Sequence, residues 1–250
     1  MSAIPAATLV LFRDIGSAPP ELLMVERAKA MAFAAGALVF PGGRIDPGDH
    51  ALATILAPAD AHADAAARIA AIRETIEEAG IAVGVVPAPT PQTVTTIRAE
   101  LHAGTSFATL LATTETTLDL TALVPFARWL PAHAHARIFD TMFYLARLPA
   151  GAAPATVDAT ENVRLRWSTA AQVLADADAG RATIIFPTRR NLERLARFAD
   201  FDSAVADAQT HPIVPITPWI EQRGGVDHLC IPQDAGYPVT EEPLTSAARG

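Results

Sequence analysis

Three carboxylates and an arginine crowd into Arg73-Glu74-Thr75-Ile76-Glu77-Glu78-Ala79-Gly80-Ile81. On a helix, Glu74 and Glu78 are four residues apart and Glu74 and Glu77 three apart, so all three carboxylates lie on or near one face. Like charges held this way cost stability unless a cation sits among them. Oxygen-only donors suit a hard cation, Mg²⁺ first and Mn²⁺ second. Arg73 can hold one carboxylate in a charge-assisted bond. Taken by themselves, the same carboxylates also read as a solvated acidic face. Upstream, Phe40-Pro41-Gly42-Gly43 reads as a strand running into a glycine turn. Such a turn lets backbone approach another backbone, or a bound phosphate, closely.

The elements around these residues follow from pattern. Ile69, Ile72, Ile76 and Ala79 recur at spacings of three or four, an apolar stripe that buries the side of the helix away from the carboxylates. Asp60 and Asp64 are both N-cap candidates, and Gly80 fits the left-handed residue just past the helix end. Ala7 to Phe12 and Glu21 to Arg27, on either side of a Gly16–Pro20 turn, predict a hairpin. Gly36 to Phe40 predicts a third strand, and Ile81 to Val86 another before the break at Pro87-Ala88-Pro89-Thr90-Pro91. Helical stretches are expected over about 93–103 and 106–113, then strands over 123–130, 138–147 and 163–167, and helices over 169–178 and 188–198. After about Asp200 the chain is rich in Pro and Gly and is expected to wrap the core. Strands interspersed with a few helices indicate a mixed α/β fold.

Composition narrows the class. The chain has 250 residues, 19 basic and 27 acidic side chains and a net charge of -8, which gives no general attraction to nucleic-acid phosphates. Half the residues are hydrophobic and 18% are charged, which argues against disorder. A single cysteine, Cys230, excludes an internal disulfide framework and a cysteine metal site. No apolar run approaches the roughly 20 residues that span a bilayer. Met1 to Arg13 lacks the pattern of a signal peptide, and the last residues form no peroxisomal address. A soluble cytoplasmic protein is the default expectation. The length suits one domain over 1–250, with a core of about 4–198, an insertion at 50–72 and a C-terminal extension of about 199–250.

The glycine turn and the carboxylate stretch together resemble the Nudix box. Gly43 would be the first glycine of that pattern, and Arg73-Glu74, Glu77-Glu78 and Gly80-Ile81 match its second half. Thr75 stands where an apolar residue is usual, and Asp49 stands where the first glutamate is expected. Residues 50–72 separate Asp49 from Arg73, where the family usually has seven residues. The insertion is similar to that of a Nudix subgroup that includes the mammalian peroxisomal coenzyme A diphosphatase. Gly36 to Gly43, Arg137 to Phe143, and Phe186-Pro187-Thr188 with Asn191-Leu192 also resemble that subgroup.

The resemblance implies an α/β/α sandwich around a central mixed sheet, with added C-terminal helices and a tail. It implies metal-dependent hydrolysis of a diphosphate linkage in a nucleoside-diphosphate derivative, coenzyme A or an acyl derivative first. ADP-ribose, a dinucleotide or a nucleotide sugar comes close behind. Glu74, Glu77 and Glu78 would hold Mg²⁺ or Mn²⁺, and a Gly42 or Gly43 carbonyl could add an oxygen. Arg73 would orient the carboxylates. Glu161 or Glu74 would serve as general base, and Arg27, Gly42 and Gly43 would meet the substrate. The partner is a small molecule, with neither nucleic acid nor membrane; Nudix enzymes are often homodimers. A rival from another class is a Nudix fold that only binds a nucleotide, as a sensor, supported by Asp49 and the insertion.

Other residues carry weaker readings. Asp49 is a helix or turn cap, or it stands in for the missing glutamate, with the cap slightly preferred. His133 and His135 alternate like a metal pair but lack an obvious third ligand, so a loop is preferred. Arg190, Arg194 and Arg197 share a helix face that could meet a substrate phosphate. A solvated face, or pairing with Glu193 and Asp200, is the preferred account. Trp129 and Trp167 could stack on a base, but core packing is favoured, and Cys230 reads as a small buried residue. Lys29, the only lysine, could touch phosphate beside Arg27.

Overall fold

The computed structural model describes residues 3–29, 34–131, 138–158 and 161–247. Strands β1 (Ile4–Ile15) and β2 (Ala18–Arg27) form the expected hairpin, with Phe12 opposite Leu22. β3 (Leu38–Val39) is shorter than the strand predicted over 36–40. Pro41 lacks an N–H for the ladder, and the chain swings there so that β4 (Gly42–Arg44) lies against β1, Gly43 opposite Ala7 and Gly42 opposite Thr8. A side chain at Gly42 would run into the Ala7 carbonyl, so only glycine permits this approach.

The insertion is helical. α1 (Pro47–Leu56) starts at Asp46, whose N–H is held by the Asp49 carboxylate at 2.9 Å. A single 3₁₀ turn (Ala59–Ala61) leads into α2 (His62–Ala79). The extra residues therefore add one helix and lengthen the next. Neither aspartate caps α2 as expected: Ala61 holds the N-cap position without a side-chain bond. Asp64 lies in the first turn, where it accepts from Arg68 Nε at 2.6 Å and the Tyr144 hydroxyl at 2.8 Å. At the other end Gly80 is left-handed (φ 68°) and donates to Ile76 O at 2.9 Å.

The strand predicted over 81–86 shrinks to β5 (Val85–Val86). Then come α3 (Pro91–His102) and α4 (Phe107–Thr113), capped by the Thr90 and Ser106 hydroxyls. β6 (Thr117–Leu118) pairs with β5. β7 (Val124–Trp129), β8 (Phe139–Arg147) and β9 (Asn162–Thr169) match their predictions within two residues at each end. α5 (Ala170–Asp178), capped by Thr169, and α6 (Phe186–Leu195) follow. Beyond Asp200 the chain holds more regular structure than its Pro and Gly content suggests. It forms α7 (Phe201–Thr210), β10 (Pro215–Ile216), β11 (Trp219–Arg223), β12 (Val226–Cys230), β13 (Glu241–Pro243) and α8 (Leu244–Ala247).

The main sheet runs β10-β7-β8-β1-β2-β3, with β4 also on β1 and β9 also on β2. It is mixed: β1–β8 and β7–β10 are parallel and the other pairs antiparallel. Alternate residues of β1 divide between its faces, as strand geometry requires. Ala7, Leu9 and Leu11 join Ile69, Ile72 and Ile76 of α2 with residues of α1, α3 and α4 on one face. Val10 and Phe12 join Val173 of α5, Leu192 of α6 and Ala204 of α7 on the other. This is the expected α/β/α sandwich. Tyr237 ties the C-terminal segment to the second core, accepting from Trp129 Nε1 at 3.0 Å and donating to Asn191 Oδ1 at 2.7 Å. Trp129 is thus a core residue, as preferred, and Cys230 is buried. Among the described residues no helix is long and apolar enough to cross a membrane.

Candidate active site

The stripe through Ile69, Ile72 and Ile76 is fully buried and turns Glu74, Glu77 and Glu78 at the end of α2 towards the β4 turn and the start of β9. This is not a solvated face. Glu78 is 4% exposed. Its Oε2 accepts the Gly42 amide at 3.0 Å, its Oε1 accepts Asn162 Nδ2 at 3.0 Å, and Arg27 Nη1 lies 3.9 Å away. The Glu74 carboxylate lies beneath Gly43 so closely that a methyl group on residue 43 would collide with it. A side chain at 43 would therefore displace the Glu74 carboxylate, and the constraint comes from that contact rather than from a strained backbone.

Arg73 gathers the cluster from the other side. Its Nη1 donates to Glu74 Oε1 at 2.8 Å and to Glu77 Oε1 at 3.0 Å. Its Nε and Nη2 grip both oxygens of Asp49, at 3.1 and 2.9 Å, and Nη2 also reaches Arg44 O at 3.0 Å. Asp49 is 2% exposed. The preferred cap reading of Asp49 is met, and the oxygen that caps α1 also holds the arginine of the carboxylate helix. A bidentate arginine–carboxylate pair fixes orientation as well as charge. Burial opposes the Arg73 charge, yet the Asp49 hydrogen bonds and the carboxylates of Glu74, Asp49 and Glu77 outweigh it and raise its pKa.

Burial acts on the carboxylates with fewer offsets. Glu78 is pushed up to about 8, chiefly by burial and then by the charge of Glu74. Glu74 is pushed up to about 7, again by burial first, against the pull of Arg73. Two buried carboxylates that repel each other favour either a proton or a cation between them.

Among the described residues, no three His, Cys, Asp or Glu side chains close into a ready cation cage. Arg73 stands between Glu74 and Glu77, and Glu78 faces Gly42 and Asn162. The donor chemistry still fits a hard divalent cation: the donors are all oxygen, and the buried anions are poorly compensated.

Glu161 lies at the mouth of the site, largely exposed, with its Oε2 3.8 Å from Arg27 Nη2. Arg27 thus lies between Glu78 and Glu161, beside the carboxylates. His133, His135 and Arg137 fall outside the described residues. The three arginines do not join the site; the solvated account holds for Arg197, exposed just past α6 and donating to Gly236 O at 3.4 Å, and fails for the other two. Arg190 and Arg194 are each 1% exposed in the core of the opposite face. Arg190 pairs with Glu193 at 2.9 Å, as expected, and with Glu242 at 2.7 Å; Arg194 pairs with Asp207 at 2.7 Å rather than Glu193 or Asp200. Trp167 is half-buried with Arg13 over its ring at 4.4 Å.

Two supports of the carboxylate helix have no signal in the sequence. Asn162 comes from the far side of the sheet order and has no local motif. Arg98 of α3 caps the end of α2, donating to Glu77 O at 2.8 Å and Glu78 O at 3.1 Å while also holding Thr156. Both act across more than twenty residues of sequence or across a loop, where spacing carries no information.

Comparison with known proteins agrees with this geometry. The family model of the NUDT19 Nudix domain matches residues 59–195. Among curated proteins none matches this chain. A crystal structure of a NUDIX hydrolase from Alicyclobacillus acidocaldarius is 27% identical, covers 82% of this chain and 96% of its own, and superposes with a TM-score of 0.71. A MutT NUDIX hydrolase from Burkholderia pseudomallei (17% identity, 77% and 98% coverage, TM-score 0.43) stands much further off. So does the NUDIX domain of NrtR from Shewanella oneidensis, solved with ADP ribose (13% identity, 79% and 88% coverage, TM-score 0.42). The family match spans more than half of the chain and includes the whole helix that carries Arg73, Glu74, Glu77 and Glu78. This chain belongs to the Nudix family and is a Nudix pyrophosphohydrolase.

Proposed function

We propose that this enzyme hydrolyses the diphosphate of coenzyme A or an acyl-coenzyme A, water adding across the P–O–P bond to release 4'-phosphopantetheine, or its S-acyl form, and a 3',5'-bisphosphonucleoside. The observation that carries the hydrolytic reading is the buried Glu74–Glu78 pair beneath Gly42 and Gly43, with more carboxylates than cations around it. The choice of coenzyme A is supported by the insertion between Asp49 and Arg73 and by the match to the NUDT19 Nudix domain model.

In this reading Glu74, Glu77 and Glu78 hold Mg²⁺ or Mn²⁺, which supplies neutralisation of the charge that develops on the diphosphate and acidification of a bound water. Asp49 holds Arg73, and Arg73 in turn orients Glu74 and Glu77. Gly42 and Gly43, whose missing side chains make room for the Ala7 carbonyl and the Glu74 carboxylate, bring the β4 backbone beside the carboxylate cluster, where this reading has it meet the substrate. Arg27, between Glu78 and Glu161, meets a substrate phosphate. Glu161, exposed and free to reach a water, accepts the proton as general base; Glu74 is the other group able to do so. The sensor alternative drew its support from Asp49 and the insertion. Against it stand the retained Glu74, Glu77 and Glu78, a repulsive set that a mere binder has no need to keep, and the grip of Asp49 on Arg73, which keeps that helix oriented.

A hydrolysis panel tests the proposal. Coenzyme A, acetyl-coenzyme A, ADP-ribose, NADH, diadenosine polyphosphates and nucleotide sugars are incubated with Mg²⁺ and with Mn²⁺, with Glu78→Gln as control. Cleavage of the coenzyme A pair, lost in the variant, supports both the site and the substrate. Preference for another member keeps the site and discards coenzyme A. Ligand binding with no cleavage of anything returns the sensor reading. Light scattering on the same sample tests the homodimer expected from the resemblance.

A further inference from the structure

Asn162 is the first residue of β9 and is 0% exposed. Its Nδ2 donates to Glu78 Oε1 at 3.0 Å. The Gly42 amide donates to the other oxygen at 3.0 Å, so the carboxylate is held at both ends, from β4 and from β9. The asparagine is itself fixed: its backbone N–H donates to Asp158 Oδ1 at 3.0 Å, and the neighbouring Glu161 N–H donates to Asp158 Oδ2 at 3.1 Å.

The other half of the Asn162 amide is the informative part. Its Oδ1 is buried and has no hydrogen-bond partner among the described residues. A buried carbonyl without a donor is costly, and an apolar side chain of the same volume would avoid that cost. Packing alone therefore disfavours asparagine here. What asparagine adds over leucine is one N–H directed at a carboxylate, without adding a charge to a cluster that is already crowded with anions.

We infer that Asn162 is a positioning residue for Glu78, aiming its carboxylate so that it can hold a divalent cation. The inference rests on the proposed role of Glu78 as a metal ligand. Partners of this kind, which hydrogen-bond to a ligand rather than touch the metal, commonly change metal affinity about 10- to 100-fold when removed.

The test uses the full chain and Mn²⁺ alone as probe, with binding read from the electron paramagnetic resonance signal of free Mn²⁺. Asn162→Leu keeps the volume and removes the N–H. It is expected to weaken Mn²⁺ binding about 10- to 100-fold, while the melting temperature of the metal-free protein holds or rises. At saturating Mn²⁺ its KM for substrate should match the wild type. Wild-type Mn²⁺ affinity in folded Asn162→Leu, or in the smaller Asn162→Ala, overturns the inference. Glu78→Gln, run alongside, separates the two layers: if it too binds Mn²⁺ normally, the metal reading of the site is what fails. A measurement on the unaltered protein covers the case in which neither Asn162 variant folds. The Asn162 side-chain amide signals in a ¹⁵N spectrum are expected to shift on adding Mg²⁺, and signals that stay in place overturn the inference.

Discussion

Each face of the main sheet buries a network of arginines and carboxylates, and the two differ in their charge balance. On the α2 face, Arg73 and Arg27 meet Asp49, Glu74, Glu77 and Glu78. On the α6 face, Arg189, Arg190 and Arg194 meet Glu193, Glu242 and Asp207. Among buried side chains the second network is matched in sign, the further carboxylate on Arg189, Asp178 at 2.7 Å, lying exposed in water; the first carries surplus negative charge. Burying a charge without its counterpart is expensive. A network that balances itself serves the fold, whereas one that does not calls for a cation from outside. In the sequence the two stretches look alike, arginines and glutamates at helical spacings. The tally of charges around each, supplied by other parts of the chain, separates them.

That contrast can be broken from either side. Glu78→Gln should lower kcat on the order of 10³-fold, given the several kcal/mol that metal-assisted charge neutralisation supplies. The metal-free protein should lose little stability, because one repelling charge is gone. A variant within tenfold of wild-type turnover would mean that the surplus charge has no catalytic use.

Arg194→Met should do the reverse. Removing it leaves the half-buried Asp207 without its arginine and strips the buried Phe126 O and Ala235 O of a donor. A loss of about 3–5 kcal/mol is expected in urea unfolding, with Mn²⁺ affinity of the folded fraction unchanged. A shift in metal affinity would show that the two faces are coupled and spoil the distinction. Asp49→Asn sits between the cases. It weakens the grip on Arg73, and through it the orientation of Glu74 and Glu77, so activity should fall about tenfold with folding retained; full activity would make Asp49 a cap and nothing more.

The smallest expected effect is a pH slope. Burial pushes Glu193 up to about 7 from an ordinary 4.5, against the pull of Arg190 and Arg189. A carboxyl whose native value lies above its unfolded value favours the protonated native state. Its contribution is present at low pH and is lost as pH rises from about 4.5 to about 7. Glu193→Gln should flatten that part of the melting profile relative to the wild type. Parallel profiles between pH 5 and pH 8 would count against the burial of this charge.

Much of this was legible in the residues. The hairpin, the apolar stripe of α2, the left-handed Gly80 and the carboxylate triplet all rest on contacts within a few residues, where spacing is informative. α1 and α7 were not. α1 opens on Pro47-Gly48, two poor helix formers, although Pro is well placed in a first helical turn. α7 packs Phe201, Ala204, Val205 and Ala208 against the core, a short stripe made half of alanines in a chain where alanine is common everywhere. The role of Asp49 was half visible: its position in the pattern suggested a substitute, and its capping chemistry suggested an end, but only the packed helix lets one carboxylate cap α1 and hold Arg73. Asn162, Arg98 and the partners of Arg194 come from distant segments and leave no trace in local order.

The parallel pairing of β1 with β8 has a kinetic consequence. β1 lies in the middle of the sheet, yet Ile4 is opposite Phe139 and Phe12 opposite Arg147, so all of α1 to β7 intervenes. Contacts this remote in sequence make folding slow, because a long loop must close before they reward it. During synthesis α2 leaves the ribosome before β8 and β9 exist. Its acidic cluster stays hydrated until those strands arrive, and the repulsion is confined only when the sheet closes over it. Divalent ions present at that moment should hasten closure, and refolding rates in Mg²⁺ should exceed those in a chelator.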